Sequence, residues 1–327
     1  MTRSANSLTE RVDRDPAPVA PAPATPGRRQ LLLVLAGLWV LDGILKLQPY
    51  MFTKSFAAQT LGAASQGAPG WLAAPISWAQ RILENHPVAP MIVFALVEIA
   101  IGFGIAYRPT RRLALLGSLV WVPFLWFFAE GLGGLTTGSA GPLTGAPGAS
   151  ILYALTALLL WPTDRPGTSQ AARFVGKRAA QVIWLVLWGL LACLALLPAN
   201  TEPDAISQTI SGNVMGTPTW YTSLLDTASR LTAGRGGWLS VLLALALASV
   251  AVSVWVPGPW SVSVRRAGVV LALVLAAVIW VFGEGLGMPF MGTGTDPDTG
   301  PLLALLAVVY WPARRLAPAS TGSGAGS

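Results

Sequence analysis

Three charged residues lie inside apolar runs of this chain. Asp42 and Lys46 occur in "GLWVLDGILKLQP", and Glu98 in "PMIVFALVEIAIGFG". Carboxyl and ammonium groups at such positions are costly to keep away from water, so a functional role is a fair default. Asp42 and Lys46 are four residues apart, on one face of a helix, and can pair. At about 1.5 Å per helical residue, Asp42 sits roughly 18 Å above Gln30 and Glu98 roughly 12 Å below Pro90. In a layer about 30 Å thick those heights meet. The expectation is a Lys/Asp/Glu group with one carboxylate in excess. It serves either as a buried ion pair tying two helices together or as a site for a quinone, a proton or a polar substrate. Asp42, Lys46 and Glu98 are the catalytic candidates.

Two further carboxylates come as a pair. "WFFAEGLG" begins at Trp126, and "WVFGEGLG" begins at Trp280, 154 positions on. Glu130 and Glu284 therefore each close an apolar run just before a glycine-rich stretch. They either accept hydrogen bonds from that stretch or, with Trp126 and Trp280 as a floor, bind a polar headgroup or move a proton. These four are the binding candidates. The charges of the first half are not repeated in the second. Leu191 and Ala195 stand 149 positions after Asp42 and Lys46, and Val252 stands 154 after Glu98. One half of the chain does without them.

The elements that must hold these residues are apolar. The 327-residue chain is 53% hydrophobic and 11% charged, against about 25% charged in soluble domains. That composition reads as an integral membrane protein. The net charge of +7 is read as topology and not as nucleic-acid binding, because the basic residues cluster between apolar runs. One cysteine, Cys193, reads as a small buried hydrophobe, and one histidine, His86, falls short of a haem or zinc ligand set. No tightly bound metal or haem is expected.

Apolar runs fall near 30–48, 89–107, 113–130, 149–161, 181–198, 237–256, 267–283 and 301–312. Their basic flanks share one side if all eight span the bilayer, which places both termini in the cytoplasm of a multi-pass cell-membrane protein. Trp39, Pro49, Trp71 and Arg81 match Trp188, Pro198, Trp220 and Arg230, each 149 positions on. The expected fold is all-α: eight transmembrane helices arranged as two parallel four-helix repeats. The expected boundaries are a disordered tail over 1–27, a first repeat over 28–163, a cytoplasmic linker over 164–180, a second repeat over 181–315 and a flexible tail over 316–327. "WLAAPISWAQRILENHP" and "WYTSLLDTASRLTAG" read as one amphipathic helix per repeat at the outer interface. Trp39, Trp71, Trp161, Trp255, Trp260 and Trp311 read as an aromatic belt. The fourth and eighth runs are too short to cross, so the glycine-rich segments 131–148 and 285–300 are expected to enter the layer as re-entrant backbone.

Residues 30–130 resemble the DoxX-like membrane family. The resemblance rests on Gly43 and Lys46 in the first run, and on the proline-bounded start, mid-helix Glu98, small residues and basic turn of "NHPVAPMIVFALVEIAIGFGIAYRPTRRLALLGSLV". It implies a four-helix membrane subunit tied to a thiosulfate:quinone oxidoreductase or an oxidative-stress complex, with Asp42, Lys46 and Glu98 facing quinone or substrate. Two other functions fit the residues. One is a transporter or lipid- or small-solute-binding protein. The other is an assembly subunit that docks an extracytoplasmic or membrane partner.

Overall fold

The computed structural model describes residues 27–312 except Pro289 and Met291. The tails expected over 1–27 and 316–327, apart from Gly27, lie outside the described residues, as does the Arg314-Arg315 flank. Among the described residues the fold is helical, without strands. The first half contains α1 (Arg28–Leu45), α2 (Lys54–Ser65), α3 (Gly70–Asn85), α4 (Val88–Ala106), α5 (Arg111–Phe128) and α6 (Ala149–Leu159). The short α7 (Ala172–Val175) leads to α8 (Lys177–Ala195), α9 (Pro198–Thr201), α10 (Ala205–Gly212) and α11 (Thr219–Thr232). The chain ends with α12 (Gly236–Val252), α13 (Ser261–Val278), which runs on as a π-turn to Gly283, and α14 (Thr299–Val309).

Each of the eight apolar runs is helical, but only four are long and apolar enough to cross a bilayer: α4, α5, α8, and α13 with its π-turn. The pair α11–α12, bent by 104°, is a fifth candidate. α1 is 18 residues long but carries Arg28, Arg29 and Asp42. α6 and α14 have 11 residues each, about 17 Å of helix against an apolar layer of about 30 Å. Leu33, Val34, Leu96, Phe103, Leu113, Val120, Val186, Leu245 and Val274 are exposed on the helix surfaces. So broad an apolar surface is stable against lipid and not against water. The protein is a helical membrane protein.

The two short helices lie innermost. Leu152, Ala157, Leu159, Leu302, Leu303 and Leu306 are fully buried in a single core built from both halves. Where α1 crosses α4 the backbones touch. A Cβ on Gly43 would lie 2.6 Å from the Ala95 carbonyl oxygen, so only glycine permits this approach.

Outside the long helices the structure departs from the sequence reading. Each half carries a pair of helices, not one. α2 joins α3 around Phe56, Leu61, Leu72 and Ile76, and α10 joins α11 around Ile206, Ile210, Tyr221 and Leu225. The polar positions of α2 and α10 mask their shorter apolar faces in the sequence. Trp71, Trp78 and Trp220 are exposed on these pairs, as interfacial anchors are. Trp39 is not at a span end: it is fully buried within α1 and stacks on Tyr153, ring centroids 4.3 Å apart. Cys193 is exposed on the outward face of α8, not buried.

Candidate functional site

The close crossing of α1 and α4 sets the first contact. Lys46 Nζ lies 2.8 Å from Glu98 Oε2, the one ion pair among the described residues. The sequence spacing allows Lys46 to pair with Asp42 on its own helix, and the matching depths allow an ion pair between two helices. The inter-helix partner wins because Gly43 lets α4 come close enough for Glu98 to reach in. Glu98 is completely buried, and its Oε1 accepts a long hydrogen bond from Trp121 Nε1 at 3.5 Å. Lys46 also donates to the Thr295 carbonyl at 3.2 Å, and Gln48 Nε2 donates to the Gly294 carbonyl at 3.0 Å. Both carbonyls belong to the loop before α14. The second half thus closes over the charges of the first.

Asp42, Lys46 and Asp296 border a cavity of about 100 Å³, together with Tyr153 and Glu130. Phe94, Phe124 and Phe128 form its apolar wall. Asp42 and Tyr153 are 3% and 2% exposed. Asp42 and the Tyr153 hydroxyl face each other without a well-aligned hydrogen bond. Buried polar atoms of this kind are rare and costly in folded proteins. Sequence reasoning missed Tyr153, Thr295 and Asp296. Tyr153 stands out as a phenol in an otherwise apolar helix and could have been found. The loop residues gave no signal, because nothing local links them to α1.

Glu130 and Glu284 share a local geometry. Each ends a helix and is followed by a left-handed turn, in which Leu132 has φ 58° and Leu286 has φ 60°. The flanking glycines of E-G-L-G take this region without strain, whereas leucine does not. The turn throws the chain back across the helix end, so that each glutamate meets the start of a short helix. Glu130 Oε1 accepts from Ser150 N at 2.9 Å and Ser150 Oγ at 2.8 Å. Glu284 Oε1 accepts from Thr299 N at 3.2 Å and from the Thr299 hydroxyl, and its Oε2 accepts from Gly300 N at 2.9 Å. A carboxylate there satisfies orphan N–H groups and opposes the positive end of the helix dipole. The segment 131–148 is buried at Gly141, Pro142 and Ala146 and lines an open cavity at Gly134, Thr137 and Ser139. Irregular backbone survives at membrane depth under either condition. Trp126 Nε1 donates to the Pro147 carbonyl at 2.7 Å, while Trp280 packs on Gly300 with its Nε1 unpartnered.

The twins differ in what lies beyond the cap. Glu284 uses both oxygens and borders neither this cavity nor its neighbour. Glu130 leaves Oε2 unpartnered and borders both. The neighbour is a polar vestibule of about 700 Å³ that shares Glu130, Ala149, Thr295 and Asp296 with the smaller cavity and adds Asp298 and Thr299. Val252, set against Glu98 by the longer spacing, faces outward. Leu247, 149 positions after Glu98, is fully buried on α12. Among the described residues no group of three or more His, Cys, Asp or Glu side chains could hold a metal ion.

No family model, curated protein or solved structure matches the chain.

Proposed function

We propose that this protein is a DoxX-type integral membrane subunit that binds a quinone in the Asp42–Tyr153 cavity and works with an outer-face redox partner. The reading takes eight spans as two parallel four-helix repeats, with both termini in the cytoplasm. What supports that arrangement is the shared left-handed turn and the shared carboxylate cap at Glu130 and Glu284. The observation that carries the ligand is the buried Asp42 carboxyl and Tyr153 hydroxyl, side by side on the cavity wall next to Lys46 and opposite three phenylalanines. A quinone ring matches such a site. Its carbonyl oxygens accept from the tyrosine hydroxyl and the ammonium, a quinol hydroxyl donates to Asp42, and the phenylalanine rings cover its faces. With one cysteine and one histidine in the chain, the electron donor belongs to the partner.

The test is gentle extraction followed by mass spectrometry of bound small molecules, with titration by decylubiquinone. Wild type is expected to retain a quinone and to bind the probe. Asp42→Asn and Tyr153→Phe are expected to lose it or to bind about tenfold more weakly, the equivalent of one buried hydrogen bond. A correctly folded wild type that neither retains nor binds quinone overturns the reading. The contiguous vestibule favours a second reading, a carrier for a small polar solute through the same cavity. Solute flux in proteoliposomes without redox change is its signature.

A further inference from the structure

The two cavities meet at Glu130, and the geometry points to a role for this residue beyond capping α6: Glu130 passes protons between the polar vestibule and the buried Asp42–Tyr153 cavity. Three observations converge. Glu130 holds α6 with Oε1 alone, while its twin needs both oxygens for the same task at α14. The spare Oε2 is buried without a partner, a cost with no structural return. Glu130 lines both compartments, its Oε2 lies against Gly148 at the wall of the vestibule, and the smaller compartment has room for several waters.

Charge gives the route a purpose. The titratable groups that line the two compartments with Glu130 are Asp42 and Lys46 from α1, Tyr153 from α6, and Asp296 and Asp298 from the loop before α14, and Glu98 of α4 pairs with Lys46 behind them. Five carboxyl groups, Glu130 included, share one ammonium. Desolvated charge of one sign must be balanced. Carboxyl groups crowded together and shielded from water balance that charge by taking up protons. The transfer is simple: hydronium in the vestibule protonates the Glu130 carboxylate and leaves water, and the Glu130 carboxyl then passes its proton through cavity water to the Asp42 carboxylate, returning Glu130 to its starting form. Ligand exchange at Asp42 then draws its protons from the vestibule. That last link alone rests on the function proposed above; the proton route stands without it.

The experiment is a rapid pH drop on protein in proteoliposomes, followed by time-resolved infrared spectroscopy of the carboxyl bands. The Asp42 band is assigned by its loss in Asp42→Asn. Wild type is expected to protonate Asp42 quickly. Glu130→Gln is expected to reach the same end point at least about a hundredfold more slowly, the lower end of what a lost acid–base group costs. Glu284→Gln is expected to leave the rate unchanged. An unchanged rate in folded Glu130→Gln overturns the inference. If Glu130→Gln does not fold, carbodiimide labelling of wild type decides. Glu130 is expected to react with both a water-soluble carbodiimide and dicyclohexylcarbodiimide, and a Glu130 that resists either reagent overturns the route. Failure of decylubiquinone to bind, with proton transfer intact, removes the quinone and leaves this inference standing.

Discussion

Lys46 and Glu98 show what one ion pair does inside this protein. Both are buried, and at the corresponding places in the second half stand Leu191, Ala195 and Leu247, all buried and apolar. Those apolar side chains pack in the core, so an apolar replacement of both partners is expected to pack as well. Removing one partner is a different matter, because it strands a charge. Lys46→Met is expected to destabilise the protein by about 3–5 kcal/mol. Lys46→Met combined with Glu98→Leu is expected to recover most of that loss. Thermal unfolding in detergent checks both, and a double variant no better than the single would show that the pair is structural. Stability restored with ligand binding lost is the expected signature of a site.

The elements are positioned by three devices: small residues where α1 crosses α4, left-handed turns after α5 and α13, and carboxylate caps on α6 and α14. Gly43 has no room for a side chain. Gly43→Val is expected to cost about 1–3 kcal/mol through overpacking and to lengthen the Lys46–Glu98 contact. The caps make a sharper prediction. Glu284→Ala leaves Thr299 N, the Thr299 hydroxyl and Gly300 N without their acceptor. It is expected to cost more than about 2 kcal/mol, the sum of a lost cap and stranded donors. Glu130→Ala removes the acceptor of Ser150 N and Oγ only and is expected to cost less. Denaturant titration in mixed micelles orders the two, and the reverse order would contradict the hydrogen-bond pattern. The short helices were visible in the sequence as runs too brief to span. Their caps were visible as a repeated E-G-L-G, although nothing local showed which carboxylate kept a free oxygen.

The whole molecule brings together halves that the sequence separates. α6 and α14 share one core, and the loop at Gly294 and Thr295 bonds to Gln48 and Lys46. Gln48→Leu is expected to free that loop and open the cavity. With Thr60, which borders the cavity, replaced by cysteine in a Cys193→Ser background, maleimide labelling is expected to speed up severalfold in Gln48→Leu. An unaltered labelling rate would mean that the loop is held by other contacts. Topology is tested at the same scale. Single cysteines in the segment 164–180 are expected to react only from the side of the termini. Those on α3 and α11 are expected to react only from the opposite side. Any other pattern contradicts eight spans.

The amino-acid sequence alone determined that the protein lives in a bilayer, that Asp42, Lys46 and Glu98 lie at one depth, and that the Glu130 block recurs at Glu284. Hydropathy, helical rise and self-similarity are local or periodic quantities, and they can be read along a line. The tertiary structure decided that Lys46 meets Glu98 and not Asp42, that Trp39 stacks on Tyr153 in the interior, and that Asp296 joins a site 254 positions away from Asp42. Each of these depends on how closely two backbones approach. That distance is set by the side chains of both surfaces together, so no single stretch of the chain contains it.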